Sequence, residues 1–380
     1  MRCIRGGGAF LCTFAYHMKY YIIAGEASGD LHGSNLIKAI HQRDASADIA
    51  CWGGEAMQQA GATLVKHYSD LAFMGFAEVL LNIRTILNNI SFCKQDIEEF
   101  KPDVLILIDY PGFNLRIAEW AHGEGIKVVY YISPQVWAWK ENRVKKIKKN
   151  VDLMLVILPF EKPFYTSWNY EVVFVGHPLL DALSTLPAPT LPFEKPVIAL
   201  LPGSRRQEIK TMLPVMLEVA DAFPQFQFVI AQAPSQPDSL YDEIIGTRQV
   251  ARVQNKTYAL LQIARAALVT SGTATLETAL FRVPQVVCYK GNVISYHIAR
   301  RLIKIKYISL VNLILDKPCV TELIQDAFTR EQVITELKKI TEEGSARKAM
   351  LNDYETLRDR LGREGASQRA AEAVCQLFQH

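Results

Sequence analysis

Short, wholly apolar runs recur along this chain, separated by helix-patterned segments, and the alternation runs twice, on either side of a proline-rich break. Tyr20–Ala24, Val104–Ile108, Val128–Ile132, Leu153–Ile157 and Val172–Val175 read as strands, and Leu31–Ala39, Phe113–His122 and Asn142–Lys149 as helices between them. A strand apolar at nearly every position must be buried on both faces, which describes a parallel sheet covered by helices. Pro187, Pro189 and Pro192 then stiffen residues 186–192 and interrupt helix, as a linker does. Beyond it Val197–Leu201, Phe226–Ala231, Ala267–Thr270 and Gln285–Cys288 read as strands, with helices at Gln207–Ala222, Lys256–Arg265 and Thr275–Phe281. From about residue 331 only helical patterns remain. The expected fold is therefore α/β, two domains in tandem facing a cleft.

Composition narrows the function classes. Of 380 residues 49% are hydrophobic and 21% charged, enough for sizeable cores and unlike a disordered chain. Lysine and arginine number 42 against 39 acidic residues, a net +3 that gives no global field for nucleic acid. The seven cysteines are scattered without C-x-x-C spacing, as reduced, buried thiols are. His32, His177 and His297 stand far apart and no H-E-x-x-H occurs, so neither a metal nor a cofactor is expected. Arg2 and Arg5 precede an apolar stretch up to Tyr16 that lacks a small-residue cleavage site, and Met18 precedes the first strand. Residues 1–19 are read as an extension outside the fold. No run reaches about 18 consecutive apolar residues, so no spanning helix is expected.

Chemistry is sought where strands turn into helices. The first strand ends in Gly25-Glu26-Ala27-Ser28-Gly29-Asp30, whose glycines admit a close ligand while Ser28 or Asp30 can satisfy free helix-start amides. It is neither G-x-G-x-x-G nor a G-x-x-x-x-G-K-[ST] loop, and capping and binding remain equal readings. Val104–Ile108 ends at Asp109, followed by Tyr110-Pro111-Gly112-Phe113-Asn114. A carboxylate at the C-terminal mouth of a parallel strand stands where such folds bind ligands, and partial desolvation would make it a better base; a helix cap is the other reading. In the second half Pro202-Gly203-Ser204-Arg205 and Ser271-Gly272-Thr273-Ala274-Thr275-Leu276-Glu277 form two further strand-to-helix junctions. Helix N-termini with Arg205 suit phosphate oxygens, and Glu277, about one turn into its helix, suits a pair of sugar hydroxyls. Together they suggest a diphosphate with its ribose.

Two segments are expected to face a membrane. Val79, Leu80, Ile83 and Leu87 form a broad apolar helical stripe, and Arg300, Arg301, Lys304 and Lys306 are interspersed with isoleucine and leucine. Basic residues beside exposed apolar ones suit anionic headgroups, although either segment can equally cover its own core. Lys145, Lys146, Lys148 and Lys149 form a separate charge run, read as a solvated helix face.

These segments, with Lys101-Pro102-Asp103, Ser133-Pro134-Gln135-Val136-Trp137-Ala138-Trp139, Leu158-Pro159-Phe160-Glu161-Lys162, Val175-Gly176-His177-Pro178 and Tyr307-Ile308-Ser309-Leu310-Val311-Asn312-Leu313, resemble the lipid-A-disaccharide synthase family over about residues 20–378. The resemblance implies two Rossmann-like domains of the glycosyltransferase B type. Residues 20–185 would form the acceptor and catalytic domain, 193–345 the nucleotide-sugar domain, and 346–380 helices returning to the first. It implies transfer of 2,3-diacylglucosamine from UDP-2,3-diacylglucosamine to 2,3-diacylglucosamine 1-phosphate (lipid X), giving a β-1,6-linked disaccharide 1-phosphate and UDP. Asp109, Arg205 and Asn312 match residues tied to activity, and Glu26, Ser28 and Asp30 match the glycine-rich turn of the first domain. Gly112 stands where many members have a second aspartate. The resemblance further implies a protein peripheral on the cytoplasmic face of the inner membrane, touching its lipids, with a homodimer formed by exchange of C-terminal regions and no nucleic-acid partner. Competing readings are another B-type transferase with a different lipid-linked acceptor, a UDP-sugar epimerase, or a membrane-associated nucleotide-binding scaffold.

Overall fold

The computed structural model describes residues 17–71, 83–139, 141–184, 186–291 and 306–378. Its first sheet consists of β1 (Lys19–Ala24), β2 (Asp48–Gly53), β3 (Thr63–His67), β4 (Val104–Ile108), β5 (Lys127–Tyr131), β6 (Leu153–Val156) and β7 (Val173–Phe174), in the order β3-β2-β1-β4-β5-β6-β7. The second consists of β8 (Val197–Leu201), β9 (Gln227–Gln232), β10 (Ala251–Gln254), β11 (Ala264–Thr270), β12 (Gln285–Tyr289) and β13 (Thr321–Ile324), in the order β10-β9-β8-β11-β12-β13. All their pairings are parallel.

Side chains alternate across each sheet with the period of two that a strand imposes. Tyr20, Ile22 and Ala24 enter one apolar cluster, while Tyr21 and Ile23 enter another on the opposite face. Ile198 and Leu200 join the first cluster, and Val197, Ala199 and Leu201 form a third. The first cluster is continuous through both lobes. Burial on both faces is why these strands carry so few polar residues.

The last helices join the lobes. Of residues 346–380, the Ser345–Arg360 helix packs on the Leu310–Leu315 and Arg330–Thr341 helices of the second lobe, whereas the Ala366–Gln376 helix packs on Ala27–Arg43 of the first. The Asp181 carboxylate caps that last helix, accepting from the Gly365, Ala366 and Ser367 N–H groups at 2.6, 3.3 and 3.0 Å. Arg369 donates to the Val175 carbonyl at 2.8 Å, and its guanidinium lies 2.7 Å from where a Cβ on Gly176 would stand. Gly176 also has φ +81°, so the quoted Val175-Gly176-His177 stretch serves this junction. The expected Lys256–Arg265 helix is shorter, Thr257–Ile263, because β11 begins at Ala264.

Of the stripe expected to face a membrane, Val79 and Leu80 lie outside the described residues, as do Arg300, Arg301 and Lys304. Ile83 opens the Ile83–Phe100 helix, on which Leu87 is 53% exposed and Phe92 44%. Lys306 pairs with Asp316 at 3.0 Å on the surface. No helix among the described residues is long and apolar enough to cross a membrane.

Candidate active site

In each sheet the chain reverses its direction of strand addition between two adjacent strands, β1 and β4 in the first lobe, β8 and β11 in the second. Loops leaving such a pair diverge to opposite faces and open a crevice at the carboxyl edge, where these folds bind ligands. Ala24 stands opposite Ile108, so the glycine-rich turn and Asp109 emerge side by side.

Asp109 and Tyr110 both have left-handed backbones, φ 45° and 49°. Two such residues in succession, neither a glycine, cost on the order of 1–3 kcal/mol each and persist only where the surroundings hold them. Asn114 donates from Nδ2 to the Ile108 and Asp109 carbonyls at 3.2 and 2.8 Å, and Tyr130 Oη donates to the Asp109 carbonyl at 2.6 Å. The Asp109 N–H donates to the Tyr131 carbonyl, and Tyr110 Oη reaches the Leu71 carbonyl at 3.2 Å. The Tyr110 ring lies on Gly25, where a Cβ would come within 2.3 Å of Cγ. Asn114, Tyr130, Tyr131 and the Tyr110 ring on Gly25 thus fix the backbone that carries the Asp109 carboxylate.

That carboxylate reaches solvent but is crowded by protein. Desolvation, reinforced by the negative charge of Glu26, pushes its pKa up to about 6, against a partial opposing effect of the Tyr110 N–H. Glu26 and Ser28 are exposed at the mouth of the turn. Asp30 is not presented to a ligand. It is buried and accepts from the Gly54, Ala56 and Met57 N–H groups at 2.7, 3.1 and 3.0 Å, capping the Glu55–Gln59 helix. The helix it caps is not the one that starts at its own turn, Ala27–Arg43, whose start has no side-chain cap. A further buried carboxylate was not singled out from sequence as a chemical group. Glu161 accepts from the Ile157 and Leu158 N–H groups at 3.1 and 2.8 Å beyond β6, and burial pushes it up to about 7.

In the second lobe Val269 pairs with Leu201, so the Gly203 and Ser271 junctions also emerge together. Gly203 takes φ +105°. The N–H groups of Ser204 and Arg205 point as expected of an anion site, but an internal anion occupies them: Glu208 Oε2 accepts both at 3.3 Å, and its other oxygen meets Arg205 Nη1 at 3.3 Å. These bonds are long, and the Arg205 side chain is 64% exposed. Gly272 and Thr273 are exposed at the other junction, while Ser271 Oγ donates to the Ile308 carbonyl at 2.9 Å. Glu277 accepts from Tyr258 Oη at 3.1 Å, and burial raises its carboxyl.

Asn312, expected at the reacting centre, is turned inward. Its Nδ2 donates to the Val320 carbonyl and to Glu322 Oε1, both at 2.9 Å, and its Oδ1 accepts from the Val320 N–H at 2.9 Å. Glu322 also accepts from the Ile308 and Ser309 N–H groups at 3.0 Å. Through Glu322 the asparagine is bonded into the segment that holds Ser271. Asn312→Ala leaves buried partners unpaired and is expected to cost about 2–4 kcal/mol of stability. Urea unfolding checks this; lost activity with an unchanged midpoint would return Asn312 to direct contact with substrate.

Two parallel α/β lobes, each with polar loops at its switch point, are the two-lobed plan of B-type glycosyltransferases. Comparison specifies the family. The family described as Lipid-A-disaccharide synthetase matches residues 20–377. A lipid-A-disaccharide synthase of Syntrophus aciditrophicus is 42% identical over 92% of this chain and 95% of its own. One of Geobacter metallireducens is 39% identical over 96% and 98%. The chain belongs to the lipid-A-disaccharide synthase family. In fold it is also similar to the UDP-GlcNAc 2-epimerase of Neisseria meningitidis, with TM-score 0.69 at 15% identity, covering 94% of this chain and 100% of that one.

Proposed function

We propose that the chain transfers 2,3-diacylglucosamine from UDP-2,3-diacylglucosamine to the 6-hydroxyl of 2,3-diacylglucosamine 1-phosphate, with Asp109 as general base. The observation that carries this reading is the Asp109 carboxylate, fixed by a left-handed backbone at the switch point with its pKa pushed up to about 6. A base with a pKa slightly below neutrality is ionised in the cell yet retains proton affinity. It takes the hydroxyl proton as that oxygen attacks the anomeric carbon, while the bond to UDP breaks on the opposite face and the α-linked donor becomes a β-linked product. Arg205 and the amides of the Ser204 and Gly272 junctions stabilise charge developing on UDP once Glu208 yields its place. Glu277 takes the ribose hydroxyls.

In this reading residues 20–185 bind the acceptor and 193–345 the nucleotide, joined by 186–192. Exposed Leu87 and Phe92 support a lipid-facing side on the first lobe, resting on the cytoplasmic face of the inner membrane. The Ala366–Gln376 helix, which follows the second lobe in the chain but packs on the first, is the element a C-terminally exchanged homodimer would swap. The fold likeness to an epimerase supplies the second reading, and the acceptor separates the two. UDP release from the acylated donor is expected only when the acylated 1-phosphate acceptor is present, with a disaccharide 1-phosphate detected by mass spectrometry. Donor turnover without any acceptor would replace the transferase by an epimerase or hydrolase.

A further inference from the structure

The Arg143–Asn150 helix buries Val144, Ile147 and Asn150 and turns its cations outward. It lies beside the Pro111–Gly123 helix. One follows β4 and the other leads into β6, so both run from the carboxyl edge of the first sheet toward its amino edge. Between them opens a groove of about 250 Å³ whose lining includes Pro111, Gly112, Arg116, Arg143 and Lys146. Lys146 is engaged with Glu119 at 2.7 Å in a solvent-exposed pair. Among the described residues, Arg116 and Arg143 have no carboxylate within ion-pair reach, and both are exposed. Space beside Gly112 is open where a Cβ would stand. Two guanidiniums in one depression offer the planar N–H forks that match phosphate oxygens.

The groove begins in the turn that follows Asp109. Near Asp109 and Glu26 the field is negative and repels a phosphate; between Arg116 and Arg143 it is positive. An acceptor sugar with a dianion at one end and its nucleophilic hydroxyl at the other fits this gradient in one direction only. We infer that the Arg116–Arg143 groove seats the phosphate monoester of the acceptor and thereby directs its distal hydroxyl to Asp109. This rests on the transferase reading above. A bilayer headgroup is the other phosphate source for the same cations, but the two arginines adjoin the Asp109 turn, and exposed Leu87 and Phe92 belong to the neighbouring Ile83–Phe100 helix.

The test pairs a protein change with a substrate change. The parent is compared with Arg116→Gln/Arg143→Gln on the acylated acceptor with and without its 1-phosphate. The parent is expected to prefer the phosphorylated acceptor in kcat/KM on the order of 100-fold, about tenfold for each charged contact. In the double variant this preference should fall to within about threefold through a higher acceptor KM, with the donor KM moved less than about twofold. A structural defect would slow both acceptors alike and leave the ratio intact, which would overturn the groove assignment. A double variant that keeps the ratio but sediments less with vesicles containing anionic phospholipid would assign the groove to the bilayer and overturn it equally. A parent that releases no UDP with either acceptor would fail the transferase reading itself.

Discussion

Asp109→Asn is expected to lower turnover at least about 100-fold, the lower end for removal of a general base. The substitution preserves shape, and asparagine tolerates the left-handed region that Asp109 occupies at φ 45°. The fold should therefore survive, and the sign of its stability change follows from the pKa. Because the folded carboxyl titrates at about 6 rather than its usual 3.8, the native state favours the protonated form. That stabilisation is complete below about pH 4 and is lost as pH rises through about 6. At neutral pH the ionised carboxylate is a burden, so the asparagine variant should unfold no earlier than the parent. Parent activity should run the opposite way, rising through about pH 6 to a plateau, with roughly a tenth of the plateau left one unit below. A folded variant with near-parental turnover, or a parent rate flat from pH 5 to 7, would remove Asp109 from the base role.

The strands legible in the sequence are those buried on both faces. Val104–Ile108 and Val197–Leu201 are apolar throughout and stand as read. Thr63–His67, Ala251–Gln254 and Thr321–Ile324 were not read as strands, and each closes an edge of its sheet. An edge strand pairs on one side and meets water on the other, so lysine, arginine and glutamate interrupt its apolar pattern. Asp48–Gly53 is internal, yet its opening Asp48 and closing Gly53 shorten its apolar run to Ile49–Trp52.

The site divides along the same line. A strand-mouth aspartate can be seen in one dimension because strand and turn are contiguous. What holds Asp109 cannot, since Tyr130 and Gly25 come from other strands and meet it only in the folded sheet. Asp30 and Asn312 show the converse. Their residue types suit a ligand, but tertiary structure commits their bonds to the protein, Asp30 to the Gly54, Ala56 and Met57 N–H groups and Asn312 to Val320 and the Glu322 carboxylate. One signal was available: Glu208 three residues past Arg205 is the spacing of a capping box, which foretells an acidic side chain over the helix-start amides.

Gly25→Ala should be nearly as damaging as loss of the carboxylate, although Gly25 carries no chemistry. An added Cβ would lie 2.3, 2.5 and 2.6 Å from Cγ, Cδ1 and Cδ2 of Tyr110, far inside van der Waals contact. The near end of a rigid ring cannot yield by a rotamer adjustment alone. Tyr110 is itself left-handed, tied through Oη to the Leu71 carbonyl and packed against Phe113 at 5.7 Å between ring centroids. Relief must therefore move the 109–110 backbone, and with it the base. A displacement of about 1 Å at a reacting group costs on the order of 100-fold in rate. The donor should still bind, because the proposed nucleotide loops belong to the other lobe, so the loss is expected in kcat with little change in the donor KM. Tyr110→Ala in the same chain removes the clash but also the ring that supports the turn, and should recover only part of the rate. A Gly25→Ala protein with parental kcat would show that the turn tolerates the shift and that Tyr110 does not set the position of Asp109.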